Sequence, residues 1–120
     1  MPASTHAQEL VRLAIDAAAE KKAIDAVAID VSERLALTDA FVIVSADNER
    51  QVQAIADEID RAMHEAGVKS LRSEGANEGR WILVDYGDIV AHIMHVDERK
   101  EYSLERLWAD CPQLAGGDHQ

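Results

Sequence analysis

Four consecutive apolar residues, Phe41-Val42-Ile43-Val44, leave a strand no wet face. Successive side chains of a strand point to opposite sides, so a run that is apolar at both parities has to be covered on both. The rest of the chain must therefore supply two layers around a sheet. Directly after this run, Val52, Ile55, Ala56, Ile59, Met63 and Ala66 recur at helical spacing behind Asp47-Asn48, either of which can cap a first turn. Gly67 stands where a left-handed C-cap belongs, and His64 falls in the last turn, where positive charge is favoured. A covered strand feeding a long amphipathic helix predicts an α/β chain, with room for a right-handed crossover.

The remaining elements follow from the same periodicities. Thr5 to Gln8 reads as a capping box. Beyond it, polar Glu9, Arg12, Asp16 and Glu20 alternate with an apolar side of Leu10, Leu13, Ala14, Ala17 and Ala18. Ala26 to Val31 alternates as a strand, and Lys69 to Glu74 reads as a short, charged edge strand. Trp81 to Tyr86 and Ile89 to Val96 are two further strands, separated by Gly87-Asp88, the length and chemistry of a tight hairpin turn. Leu104, Leu107, Trp108 and Cys111 keep helical spacing, and Pro112 ends that helix. The order α-β-β-α-β-β-β-α predicts a mixed five-stranded sheet flanked by helices, in one domain over residues 5–112, with a disordered tail over 113–120.

Composition narrows the function classes. Lys and Arg total 12 against 23 Asp and Glu, a formal charge of −11. Phosphate backbones demand clustered cations, so direct, sequence-specific binding of nucleic acid is not expected. Acidity instead suits steering toward a basic protein, or simple solubility. A single cysteine, Cys111, allows no internal disulfide and fits a reducing, cytoplasmic setting. No apolar run approaches the ~18 residues of a membrane span, and no signal-like segment opens the chain.

No catalytic constellation emerges. His92 and His95 are three apart on a strand, so their side chains point to opposite faces and cannot share a metal without distortion. Asp30, Asp85 and Asp88 do not alternate on one strand as a two-metal site requires. Ser45-Ala46-Asp47-Asn48 precedes a helix start but contains no glycine, and Asp47 would repel an anion. There is no Gly-x-Ser-x-Gly elbow and no Gly-x-Gly-x-x-Gly fingerprint. The expectation is a protein with no catalytic residues, cofactor or metal.

An interaction surface is the alternative. Trp81, Tyr86 and Tyr102 gather near the hairpin and its exit beside Arg80 and Arg99. Aromatic and Arg side chains are enriched at interface hot spots, although a bulky Trp81 can equally plug a core. Trp81, Leu83 and Asp85 share one strand face, with Ile82, Val84 and Tyr86 on the other.

These residues resemble a known family. Thr38-Asp39-Ala40-Phe41-Val42-Ile43-Val44-Ser45 followed by Glu49-Arg50-Gln51-Val52 is similar to the first signature of the Iojap, or ribosomal silencing factor, family. Glu74-Gly75, Trp81, Asp85-Tyr86-Gly87-Asp88, Val90, His92 and Tyr102-Ser103-Leu104-Glu105-Arg106-Leu107-Trp108 resemble its second half. The resemblance implies a nucleotidyltransferase-like fold without the catalytic motif. It also implies binding to large-subunit ribosomal protein fourteen, which blocks subunit association and represses translation when nutrients are short. On that basis the expected partner-binding residues are Trp81, Asp85, Tyr86, Asp88, His92, Arg99, Tyr102 and Glu105. Two other readings stay open: a degenerate nucleotidyltransferase-like enzyme or nucleotide-binding protein, and a homodimer paired through exposed strand edges.

Overall fold

The first helix, α1 (Thr5–Glu20), begins one residue earlier than a Thr5 cap would place it. Ser4 is the N-cap and its hydroxyl accepts from the Ala7 amide at 3.0 Å, while the Gln8 side chain donates to the Ala3 carbonyl. The computed structural model describes residues 2–116. Strand β1 (Ile24–Asp30) leads through a loop to β2 (Ala40–Ala46), and Asn48 then caps α2 (Glu49–Glu65) by accepting from Gln51 N. Gly67, at φ 83°, continues past the end of α2 in a conformation that side-chain-bearing residues rarely adopt. Short β3 (Arg72–Glu74) precedes β4 (Trp81–Asp85), a turn at Gly87-Asp88, and β5 (Ile89–His95). The chain closes with α3 (Val96–Glu101), α4 (Leu104–Leu107) and β6 (Gln113–Gly116).

Among the described residues the sheet has six strands in the order β3-β4-β5-β2-β1-β6. Strands β2 and β5 pair in parallel, the other described pairs are antiparallel, and α2 lies in the crossover between β2 and β5. The sixth strand overturns the expected tail: Gln113–Gly116 pairs antiparallel with β1, and Pro112 O accepts from Asp30 N at 2.8 Å. Residues 117–120 of the expected tail lie outside the described residues. The expected single C-terminal helix is also two pieces, because Tyr102 and Ser103 leave helical geometry between α3 and α4.

Both faces of the sheet are covered, as the Phe41–Val44 run requires. Helices α1 and α2 pack on one face, over Ala28, Val42, Val44, Ile82, Val84 and Ile93. The buried stripe of α1 is rich in alanine (Ala7, Ala14, Ala17 and Ala18), so the helix can approach closely. The other face carries Val27, Ile29, Phe41, Ile43, Val90 and Met94. Its cover is thinner: Leu35 from the β1–β2 loop, with Leu104, Trp108 and Cys111 from the C-terminal segment. Gly75, at φ 84°, lets the loop after β3 cross the start of β4, where a Cβ would stand 2.1 Å from the Trp81 carbonyl oxygen. No described helix is long and apolar enough to cross a membrane.

Candidate partner-binding site

Trp81 opens β4 opposite Met94 of β5, on the thinly covered face, and is half-buried. Its indole N–H donates to His92 Nδ1 at 3.1 Å. A neutral imidazole that accepts at Nδ1 carries its proton on Nε2. Burial pushes the His92 pKa down to about 4, so the ring is neutral near pH 7. His92 Nε2 is buried and has no hydrogen-bond partner among the described residues. A buried donor left in that state costs about 1–3 kcal/mol.

Further rings extend the cluster. Phe41 meets His92 edge-on with centroids 4.9 Å apart, and meets Trp108 edge-on at 5.2 Å. Tyr102 lies 5.4 Å from Trp81 and is 48% exposed. The Arg34 guanidinium sits 4.8 Å over the Trp108 ring and bonds Asp110 at 2.8 Å. Such edge-on and cationic contacts each add about 0.5–1.5 kcal/mol beyond area burial.

Arg99 and Glu105, both expected to meet a partner, meet each other. Arg99 Nε and Nη2 converge on one Glu105 oxygen at 3.0 and 2.7 Å. Arg99 Nη1 donates to Ser45 Oγ at 2.9 Å and to Ile24 O at 3.4 Å. The arginine is buried and ties α3 to the ends of β1 and β2, which explains its burial without any partner.

Tyr86 departs furthest from expectation. It is 5% exposed, lies on the helix-covered face with Ile82 and Val84, and its hydroxyl donates to Asp60 of α2 at 2.8 Å. Burial, and then the adjacent Asp60 carboxylate, raise its phenol pKa well above the ordinary value. In this conformation it is a core residue on the face opposite Trp81. Asp85 and Asp88 belong to the hairpin turn, roughly 13 Å along β4 from Trp81 at the usual strand rise. Asp85 accepts from Gly87 N at 2.8 Å and lies 3.6 Å from Arg72 Nε, while exposed Asp88 is 3.7 Å from His6.

The structure thus gathers Trp81, His92 and Tyr102 into one cluster, braced by Arg99–Glu105, and separates Asp85, Asp88 and Tyr86 from it. Sequence reasoning missed Phe41 and Trp108 as its other members, and Arg34 as the cation over Trp108. Phe41 carried a signal, since a lone aromatic in an aliphatic strand shares parity with Ile43 and Ser45. Arg34 carried none, because its pairing spans 74 residues of chain.

His95 faces the other way and its Nδ1 accepts from Asp97 N, capping α3. Among the described residues no three His, Cys, Asp or Glu side chains are placed to hold a metal ion. A cavity of about 280 Å³ lies on the helix side between α2 and the β3–β4 edge, lined in part by Asp57, Asp60, Ser73 and Ile82. It does not touch the aromatic cluster.

Comparison with known proteins bears on these features together. The family described as "ribosomal silencing factor during starvation" matches residues 4–120. A ribosomal silencing factor from Halalkalibacterium halodurans is 44% identical over 107 residues, covering 89% of this chain and 92% of that protein. A crystal structure of a Chromobacterium violaceum protein superposes with a TM-score of 0.83 at 35% identity, covering 94% of this chain and 89% of that one. A more distant relative from Mus musculus, named mitochondrial assembly of ribosomal large subunit protein 1, is 30% identical over 74% of this chain and 40% of its own length. With the family matching residues 4–120 and a relative 44% identical over 89% of this chain, the chain belongs to the ribosomal silencing factor family.

Proposed function

We propose that this chain binds the large ribosomal subunit through its protein fourteen and keeps the small subunit from joining, so that translation falls when nutrients are short. The carrying observation is the open end of the aromatic cluster. Trp81 and Tyr102 meet, tilted by 38°, at the rim of the thinly covered face, where Tyr102 directly follows exposed Glu101 of α3. Rigid, partly exposed aromatics on a strongly acidic chain suit a basic protein partner, because apolar area supplies affinity and opposite charge supplies steering. The formal charge of −11 favours such a partner over bare RNA. The name of the mouse relative is in keeping with a large-subunit association.

Blocking by occupancy needs no chemistry. A bound domain takes up space that the second subunit requires, and its effect follows affinity and concentration alone. Of the residues first expected at the contact, Trp81 and Tyr102 are the anchors in this reading. His92, Arg99 and Glu105 hold the anchors in place, and Asp85 and Asp88 form a separate acidic rim. Titration of isolated large-subunit protein fourteen by calorimetry tests the reading. It expects saturable binding that Trp81→Glu weakens about a hundredfold in a folded protein; equal affinities for both proteins would remove the site.

A second reading rests on the nucleotidyltransferase-like arrangement that the family resemblance implies. The cavity beside α2 presents Asp57, Asp60, Ser70 and Ser73, acceptors and hydroxyls with no cation among its lining residues, which disfavours a nucleotide phosphate. Saturable heat at micromolar nucleotide with magnesium would favour that reading over silencing by occupancy.

A further inference from the structure

The short helix α4 covers the aromatic cluster and is held to it chiefly by the flanking Trp108, which meets Phe41 edge-on. None of its four residues is buried, Ser103 makes no side-chain cap bond to it, and Leu107 is 68% exposed. Only Leu104 and the following Trp108 reach the apolar face below. Its charged attachments are the convergence of Arg99 on Glu105 near its start and, just past its end, Arg34 over Trp108 and on Asp110. By contrast, α3 is fixed by the buried Arg99 through Ser45 and Ile24. Tyr102 and Ser103 join a fixed helix to a loose one, in non-helical geometry that can serve as a hinge.

On the covered face lies a donor with nothing to donate to. His92 sits between Val90 and Met94 in β5, its Nδ1 is occupied by Trp81, and the protonated Nε2 meets no acceptor among the described residues. Buried polar groups in folded proteins are nearly always paired, so an unpaired one calls for a physical explanation. Packing alone does not supply one, because an apolar ring would fill the same place among Phe41, Trp81 and Met94 with no unpaired N–H.

We propose that residues Leu104–Trp108 form a strap over a concealed hydrogen-bond donor, and that the ribosomal protein partner lifts it, seating a backbone carbonyl on His92 Nε2. Glu105 leaves Arg99 as the strap turns about Tyr102–Ser103 and becomes available to a basic side chain of the partner. Arg99 is then reached by water, so its charge is not stranded in the core. The strap hides apolar surface in the free protein and makes docking conditional on an acceptor at one position, which is selectivity by hydrogen-bond matching. This inference rests on the functional reading above and adds a gate to it.

Association kinetics of the full chain with purified large subunits test the gate. Glu105→Gln weakens the latch and leaves the hinge intact, so a larger fraction of molecules is open and association quickens by about threefold. His92→Asn keeps an oxygen where Nδ1 accepts from Trp81 and deletes the Nε2 donor. It dissociates about tenfold faster, the worth of one neutral hydrogen bond, while its thermal midpoint equals or exceeds that of the unmodified protein. Glu105→Gln associating no faster, or His92→Asn dissociating no faster, overturns the strap. A lower midpoint with unchanged dissociation assigns His92 to the core alone and overturns it too. If the unmodified chain does not bind large subunits, the functional reading falls and the strap with it. If it binds and both variants behave like it, only the strap falls.

Discussion

On the side of α1 and α2 the sheet presents Val42, Val44, Ile82, Val84 and Ile93, and two long capped helices close over them. On the other side Trp81, Leu83, Leu104 and Trp108 stay half-buried beneath a cover of short, interrupted helix. The helix side is mainly aliphatic and closed, whereas the strap side is aromatic, carries an imidazole whose Nε2 has no partner among the described residues, and ends at an open rim. One sheet thus separates two requirements by strand parity: residues of one parity hold the fold, and those of the other leave surface to offer.

Substitutions on the two faces should therefore fail in different ways. Ile93→Ala, on the closed side, should cost about 4 kcal/mol in urea unfolding, by lost transfer energy plus a cavity, while the folded fraction still binds large subunits normally. A loss of binding beyond the loss of folded protein would blur the division. Trp81→Glu, on the open side, should weaken large-subunit binding by about a hundredfold, close to 3 kcal/mol, with the circular dichroism of a folded protein. Unchanged co-sedimentation would move the contact elsewhere.

Acid should single out the open side as well. The folded state holds His92 neutral down to a pKa of about 4, whereas the unfolded chain takes up that proton near pH 6.5. Between these values the unfolded state binds more protons, so stability declines as pH falls from 6.5 and the full loss is reached below 4. The full loss is on the order of 3 kcal/mol. Urea midpoints at pH 7 and 4.5 should differ less in His92→Asn than in the unmodified protein; identical differences would mean that His92 does not carry the effect. Smallest of all, Tyr86→Phe should cost about 1 kcal/mol through loss of its bond to Asp60 and leave binding untouched, because Tyr86 is on the closed side. Weakened binding in that variant would restore Tyr86 as an anchor.

The helix side was legible from periodicity. Phe41–Val44 required two covered faces, Val52 to Ala66 gave α2 with its Asn48 cap and Gly67 stop, and Gly87-Asp88 gave the hairpin. Parity alone puts Tyr86 opposite Trp81, so the two cannot share one contact face. What stayed hidden depends on distant chain segments meeting. Strand β6 exists because β1 offers an unpaired edge more than eighty residues earlier, and Gln113-Leu114-Ala115-Gly116 has no strand pattern of its own. The break between α3 and α4 was hidden by Leu104, Leu107, Trp108 and Cys111, whose helical spacing suggested a continuous stripe that exposed Leu107 does not join. Arg99 and Glu105 looked like surface charges because the lone Ser45 hydroxyl and the Ile24 carbonyl that bury the arginine are not visible as partners in sequence.

Occupancy of the large subunit's joining surface is the physical event on which the proposed silencing depends. Light scattering of separated large and small subunits, mixed with a saturating amount of the unmodified chain, reads it directly. Joining should fall to a small fraction of its extent without the chain and recover with Trp81→Glu. Undiminished joining beside demonstrably bound protein would mean that the chain sits on the ribosome without obstructing it.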